Sequence, residues 1–119
     1  MQGIHVNYVG RVTRDCEMRF IPSGTAVSSF NMAVNEGYGD NQKTHWVKVT
    51  AWSKLAEIAN EIAKKGTLIQ VSGKIQTENG NPHAWIKDGV AMAQLEVRAE
   101  ELTSYSSKNN QTDEENIPF

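Results

Sequence analysis

Four side chains spaced two residues apart, Trp46, Lys48, Thr50 and Trp52, carry the most legible chemistry in this 119-residue sequence. Alternate residues of a strand point to the same face, so a strand over residues 44–52 sets two large rings around a cation and a hydroxyl. Val47, Val49 and Ala51 then point the other way, into a core. Rings interleaved with ammonium groups suit a single-stranded nucleic acid, because bases stack on the rings at roughly 1–3 kcal/mol each while cations track the phosphates. A duplex hides its base faces. Such a surface favours single strands with weak sequence preference, since every base has a face to stack. The other use of such a surface is packing, with the tryptophans covered by a loop or a second subunit.

Tyr38, in the loop after the second strand, and Trp85, in a long loop after the fourth, extend this platform. Arg19, Lys43, Lys54 and Lys74 lie near it on strand or helix positions. Surface lysines are ordinary, so only their grouping carries meaning. Nothing points to covalent chemistry: His5, His45 and His83 are scattered, and no phosphate loop, zinc spacing or nucleophile elbow is present. His45 is expected on the core-facing side of its strand in a hydrogen-bonded role. No catalytic residue, metal or cofactor is expected.

A second constellation closes the sequence: Asp113, Glu114, Glu115, Asn116, Ile117, Pro118 and Phe119. The acids steer towards a basic partner, Pro118 limits the freedom lost on binding, and Phe119 offers a ring and a carboxylate to a pocket. These are the features of a protein-docking tip at 113–119. In front of it, residues 104–112 are polar and nearly free of aliphatics, a flexible linker. The ordered domain is then residues 1–103. Residues 104–119 hold one Lys and three acids, which is the whole of the net charge of −2. The remaining body balances eleven basic residues against eleven acids, so an acidic pI leaves room for a local basic surface.

Period-two alternation dominates that body, with one helical interruption. A first strand over residues 4–12 continues after the 13–15 step towards 18–21. Residues 26–35 and 44–52 form a hairpin around the 36–43 loop. A helix over 54–65 follows, capped by Ser53, with Leu55, Ile58, Ala59 and Ile62 on its apolar face and Gly66 at its end. Strands over 68–76 and 90–99 complete the chain. Three strands, a helix and two strands is the order of the five-stranded OB barrel, all-β with one helix, whose sheet face and loops bind oligonucleotides or oligosaccharides. A half-open sheet with a packed helix is the alternative, and closure is favoured because it removes exposed edges.

A single cysteine, Cys16, permits no intrachain disulfide and fits a reducing cytosol. The opening residues lack the pattern of a signal peptide and no run reaches membrane-spanning length. The expectation is a soluble cytoplasmic protein that meets no membrane.

The body resembles bacterial single-stranded DNA-binding proteins along nearly its whole length. The resemblance is carried by Asn7-Tyr8-Val9-Gly10-Arg11-Val12-Thr13-Arg14-Asp15, by Phe30-Asn31-Met32-Ala33-Val34-Asn35, by Ala51-Trp52-Ser53-Lys54-Leu55-Ala56-Glu57, and by Val71-Ser72-Gly73. The terminal Ile-Pro-Phe resembles that family's acidic tip. The resemblance implies that Tyr38, Trp46 and Trp52 stack on DNA and that Arg19, Lys48, Lys54 and Lys65 lie near the strand path. It further implies a homotetramer, coating of single strands, and a tip that recruits replication, recombination and repair proteins. An OB-fold primosomal accessory protein or RNA-binding chaperone is the alternative, and the discriminating feature is the Ile-Pro-Phe terminus, for which an autonomous RNA chaperone has no evident need.

Departures from the family pattern carry their own expectations. Cys16 stands where Pro is usual, which loosens that turn. Gln76 and Glu78 stand where Arg is frequent, so fewer phosphates are neutralised and the salt dependence is shallow. Residues 78–83 lengthen the loop before Trp85, and the short linker narrows the reach of the tip.

Overall fold

Wherever valine, isoleucine and alanine recur at every second position, the chain runs as a strand, and the inward set of each strand meets in one core. The structure, a computed structural model, describes residues 3–105. Its elements in order are β1 (His5–Val12), β2 (Glu17–Phe20), β3 (Ala26–Glu36), β4 (Lys43–Trp52), α1 (Lys54–Ile62), β5 (Leu68–Ile75), β6 (His83–Lys87) and β7 (Val90–Ser104), with a 3-10 turn at Gly39–Asn41. Phe30 and Met32 of β3, Val49 and Ala51 of β4, Ile69 and Val71 of β5, and Val97 and Ala99 of β7 fill the interior.

Pairing runs β1, β5, β7, β4, β3 and closes through a β1–β3 contact at Arg11 with Ala33 and Val12 with Met32. The result is the closed five-stranded OB barrel with one helix that the element order predicts. β4 and β7 lie parallel, and the other pairs are antiparallel. Two glycines sit where the barrel turns its corners. Gly10, paired with Ile69 of β5, stands just before Arg11, where β1 begins to pair with β3, and an added Cβ at Gly10 would stand 2.7 Å from the Ala33 carbonyl oxygen. Gly73 follows the β5 irregularity at Ser72, where a Cβ would run into the Arg98 carbonyl. Only a residue without a side chain admits so close a backbone approach.

The helix plugs the barrel with small residues. Ala56, Ala59 and, just beyond the helix, Ala63 are fully buried, flanked by half-buried Leu55 and Ile62. Ile58, expected on the same face, is exposed instead. Buried Ser28 donates to the Ala56 carbonyl at 2.6 Å, tying the helix start to β3. Its far end is held by the Cys16 amide, which donates to the Ala63 carbonyl at 2.8 Å. That bond corrects the expectation of a loosened turn, because proline has no N–H to make it.

The step expected after residue 12 separates β1 from β2, but other local expectations change. The helix stops at Ile62 rather than running to Lys65, and Ser53, at φ 57°, lies outside the extended backbone of an N-cap and makes no side-chain cap bond. His45, on the same side of β4 as Val47, has the expected hydrogen-bonded role: it stands half-buried at the start of the strand and bonds Glu36 at 2.8 Å. Residues 83–87, read as loop, form β6, which pairs with β7 around Asp88-Gly89. Both turn residues have positive φ, 51° and 79°, the geometry of a two-residue I′ hairpin. β7 runs on past Ala99 to Ser104, which pairs with Ile69. Among the described residues, no helix is long and apolar enough to cross a membrane. The tip at 113–119 lies outside the described residues, as does the expected linker from 106 onward.

Candidate nucleic-acid interface

The face of β4 turned away from the core is the centre of the candidate site. Trp46 is 63% exposed, Lys48, Thr50 and Trp52 are half-buried, and the intervening Val47, Val49 and Ala51 are buried. Strict alternation thus produces the predicted division of faces. Trp46 and Trp52 stand six residues apart, about 20 Å along a strand.

Cross-strand register adds neighbours that alternation alone does not name. On one flank, Trp46 lies beside Ala33, and Ala33 beside Arg11. In the middle, Lys48 lies between Asn31 of β3 and Glu96 of β7. Thr50 lies between Ser29 and Arg98, and Arg98 is opposite Lys74, which is opposite His5. At the far end Trp52 pairs with Val27 and Val27 with Arg19. A shallow polar cleft opens beside this face, lined by Arg14, Asp15, Ser29, Asn31, Lys48 and Gln94 among others.

Trp52 has a partner that sequence reasoning missed. The Arg98 guanidinium stands 5.7 Å from the Trp52 ring centroid, a cation–π distance. Arg98 belongs to the alternating outward set of β7. Nothing local, however, announces that β7 lies parallel to β4. Arg14, which lines the cleft with Lys48, was likewise missed.

The remaining predicted residues are placed on several elements. Tyr38 is 91% exposed in the β3–β4 loop, and Lys43 is exposed at the start of β4 opposite Glu36. Lys54, the exposed first residue of α1, lies two residues after Trp52. Lys74 is half-buried on β5, 4.0 Å from Glu100. Lys65 is exposed in the turn after the helix, where its backbone N–H donates at 2.8 Å to Asp15, one of the residues that line the cleft. Trp85, read as a loop residue, is on β6 opposite Met92, with its ring 4.9 Å from that of His83. His83, Trp85 and Lys87 lie opposite Gln94, Met92 and Val90 and so carry the outward side of β7 out along the hairpin.

Acids limit the basic character of the face. Glu96 bonds His83 at 2.8 Å, and Glu100 contacts Lys74 and His5. Among the described residues no group of His, Cys, Asp and Glu could hold a metal. The Cys16 thiol is pushed up chiefly by burial, which makes it unreactive.

Residues 4–105 match the model of the single-strand binding protein family. The chain belongs to that family. Among its relatives are a "Single-stranded DNA-binding protein" of Neisseria meningitidis serogroup A, 34% identical over 106 residues, and "Single-stranded DNA-binding protein 3" of Listeria innocua, 36% identical over 107. The alignments take in 85% and 86% of this chain but 59% and 63% of those proteins. The chain thus spans about three fifths of the length of these curated relatives. The fold is similar to the crystal structure of the small single-stranded DNA-binding protein from Streptomyces coelicolor, with a TM-score of 0.73, 21% identity, and coverage of 87% of this chain and 95% of that one. The family is named for binding single strands, and the relatives for binding single-stranded DNA.

Proposed function

We propose that this member of the single-strand binding protein family binds single-stranded DNA without strong sequence preference, by stacking and phosphate neutralisation rather than catalysis. The carrying observation is the β4 face, where exposed Trp46, Lys48 and the Arg98-backed Trp52 share one side of a closed barrel. Bases stack on Trp46 and Trp52, with Tyr38 and Trp85 prolonging the path. Lys48, Arg19, Lys54, Lys74, Lys43 and Lys65 supply the phosphate contacts. The names of the relatives support DNA as the ligand.

The wider reading is a cytoplasmic homotetramer that coats exposed strands during replication, recombination and repair. Residues 1–105 bind DNA, the rest of the expected linker, 106–112, tethers the tip, and Asp113, Glu114, Glu115, Ile117, Pro118 and Phe119 recruit partner enzymes. The motif resemblance supports this division.

Tryptophan fluorescence during titration with oligo-dT, oligo-U and duplex DNA, at two salt concentrations, tests the core of the proposal. Strong quenching by oligo-dT, less by oligo-U and little by duplex is expected. Preference for oligo-U would favour an RNA chaperone, and no quenching by any single strand would assign the tryptophans to packing.

A further inference from the structure

The stacking face has a gap that its two tryptophans do not cover. Trp46 and Trp52 stand about 20 Å apart along β4, whereas successive nucleotides of a stacked strand are about 3.4 Å apart. Bases held between the rings therefore meet no aromatic side chain of β4, since Lys48 and Thr50 are the residues turned outward there. The polar cleft opens at this place, where Asn31 lies opposite Lys48.

At about 230 Å³ the cleft is smaller than a drug-sized site. In sheet order β3 lies between β4 and β2, so Asn31 sits between Lys48 and Gln94 on one side and Arg14, Asp15 and Glu17 on the other. The second side is fixed in advance of any ligand. Thr13 donates its amide and its hydroxyl to the Asn31 carbonyl at 2.9 and 3.1 Å, and one Asp15 oxygen accepts the Lys65 N–H at 2.8 Å. Among the described residues, the Arg14, Glu17, Asn31, Lys48 and Gln94 side chains make no hydrogen bond or ion pair within the protein. Five polar side chains thus converge on one small space with their hydrogen-bonding capacity intact.

Their charges select the ligand. Arg14 and Lys48 balance Asp15 and Glu17, so the cleft has no net attraction for phosphate, and the two carboxylates repel it. A base edge carries donors and acceptors side by side, which suits a cation next to a carboxylate. Guanine matches best: an arginine fork takes its O6 and N7, and its N1–H and N2 amino group donate together to a carboxylate. Adenine, cytosine and thymine each lack that pair of adjacent donors.

We infer that the cleft is a guanine-preferring base-edge subsite within the single-strand interface, in which Arg14 donates to O6 and N7 and Glu17 accepts from N1–H and the N2 amino group. This inference rests on the β4-face reading of function. Asn31 and Gln94 offer an amide donor and acceptor to whichever base enters, so other bases are admitted and binding along a strand stays general. The preference acts on one nucleotide per barrel.

The test uses the full chain and repeats of equal length that alternate thymine with guanine, with inosine or with 7-deazaguanine, titrated by tryptophan quenching beside oligo-dT. Inosine lacks only the N2 amino group and 7-deazaguanine only N7, so each analogue keeps the stacking surface and removes one edge group. The wild type should bind the guanine repeat about five- to tenfold more tightly than either analogue, the low end of one bidentate base contact. Arg14→Gln should bring the gap to 7-deazaguanine within about twofold, and Glu17→Gln the gap to inosine. Both variants should keep oligo-dT affinity within about threefold, which also reports an intact fold. Equal wild-type affinity for the three repeats, or gaps that persist in both variants, would overturn the subsite. Failure of the wild type to bind oligo-dT and the repeats alike would instead bring down the single-strand reading, and the subsite with it.

Discussion

Trp52 shows what a single residue gains from its neighbours. Its place at the end of β4 is set locally, whereas its neighbours Val27 and Arg98 come from distant parts of the chain, Arg98 from 46 residues further along. Trp52→Ala should weaken single-strand binding by about 1–3 kcal/mol in a fluorescence titration, and Arg98→Ala should weaken it through loss of both a cation and the ring's support. Lys48→Ala should reduce the salt slope of binding by about one, as for one lost phosphate contact. Tyr8 bears on stability rather than binding. Burial pushes its phenol far above the ordinary range, and its hydroxyl has no hydrogen-bond partner. The unfolded chain therefore ionises this group first, at about pH 10, and stability falls as pH rises beyond that point. Tyr8→Phe should be neutral or stabilising by about 1 kcal/mol near neutrality and should lessen the alkaline loss, as read by urea unfolding at both pH values.

At the scale of elements, the outward and inward sets of each strand follow from composition, but the corners depend on two glycines. Gly73→Val should destabilise the barrel by about 1–3 kcal/mol or more, since the added side chain meets the Arg98 backbone, which cannot yield as a flexible side chain would. Thermal unfolding measures this, and an unchanged midpoint would show that β5 shifts freely. The β6–β7 hairpin was signalled by Asp88-Gly89, the strongest short-range cue for such a turn. The density of Gly, Asn and Pro between residues 79 and 89 masked it as a loop. Helix α1 was shortened by tertiary bonds: the Ala63 carbonyl is taken by Cys16, and the chain turns away before Lys64 and Lys65 can complete the last turn.

For the whole molecule, the charge-neutral body and the acidic residues 113–119 suggest two separable surfaces. Deleting Ile117 to Phe119 should leave oligo-dT affinity unchanged within about twofold, a few tenths of a kcal/mol, while abolishing capture of repair enzymes by the immobilised protein. Retained capture by the truncated chain would sink the assignment of the tip.

The sequence by itself determined which residues each strand turns inward and outward, because strand alternation is a property of the backbone over a few residues. From that came the Trp46–Trp52 face, the buried Val47, Val49 and Ala51, and the order of elements that closes into an OB barrel. Only the tertiary structure decided which strands lie side by side. It set Arg98 over Trp52 and placed Glu96 between Lys48 and His83, contacts between residues distant along the chain. Long-range register depends on the packing of the whole core and on the corner glycines, and no local pattern encodes it.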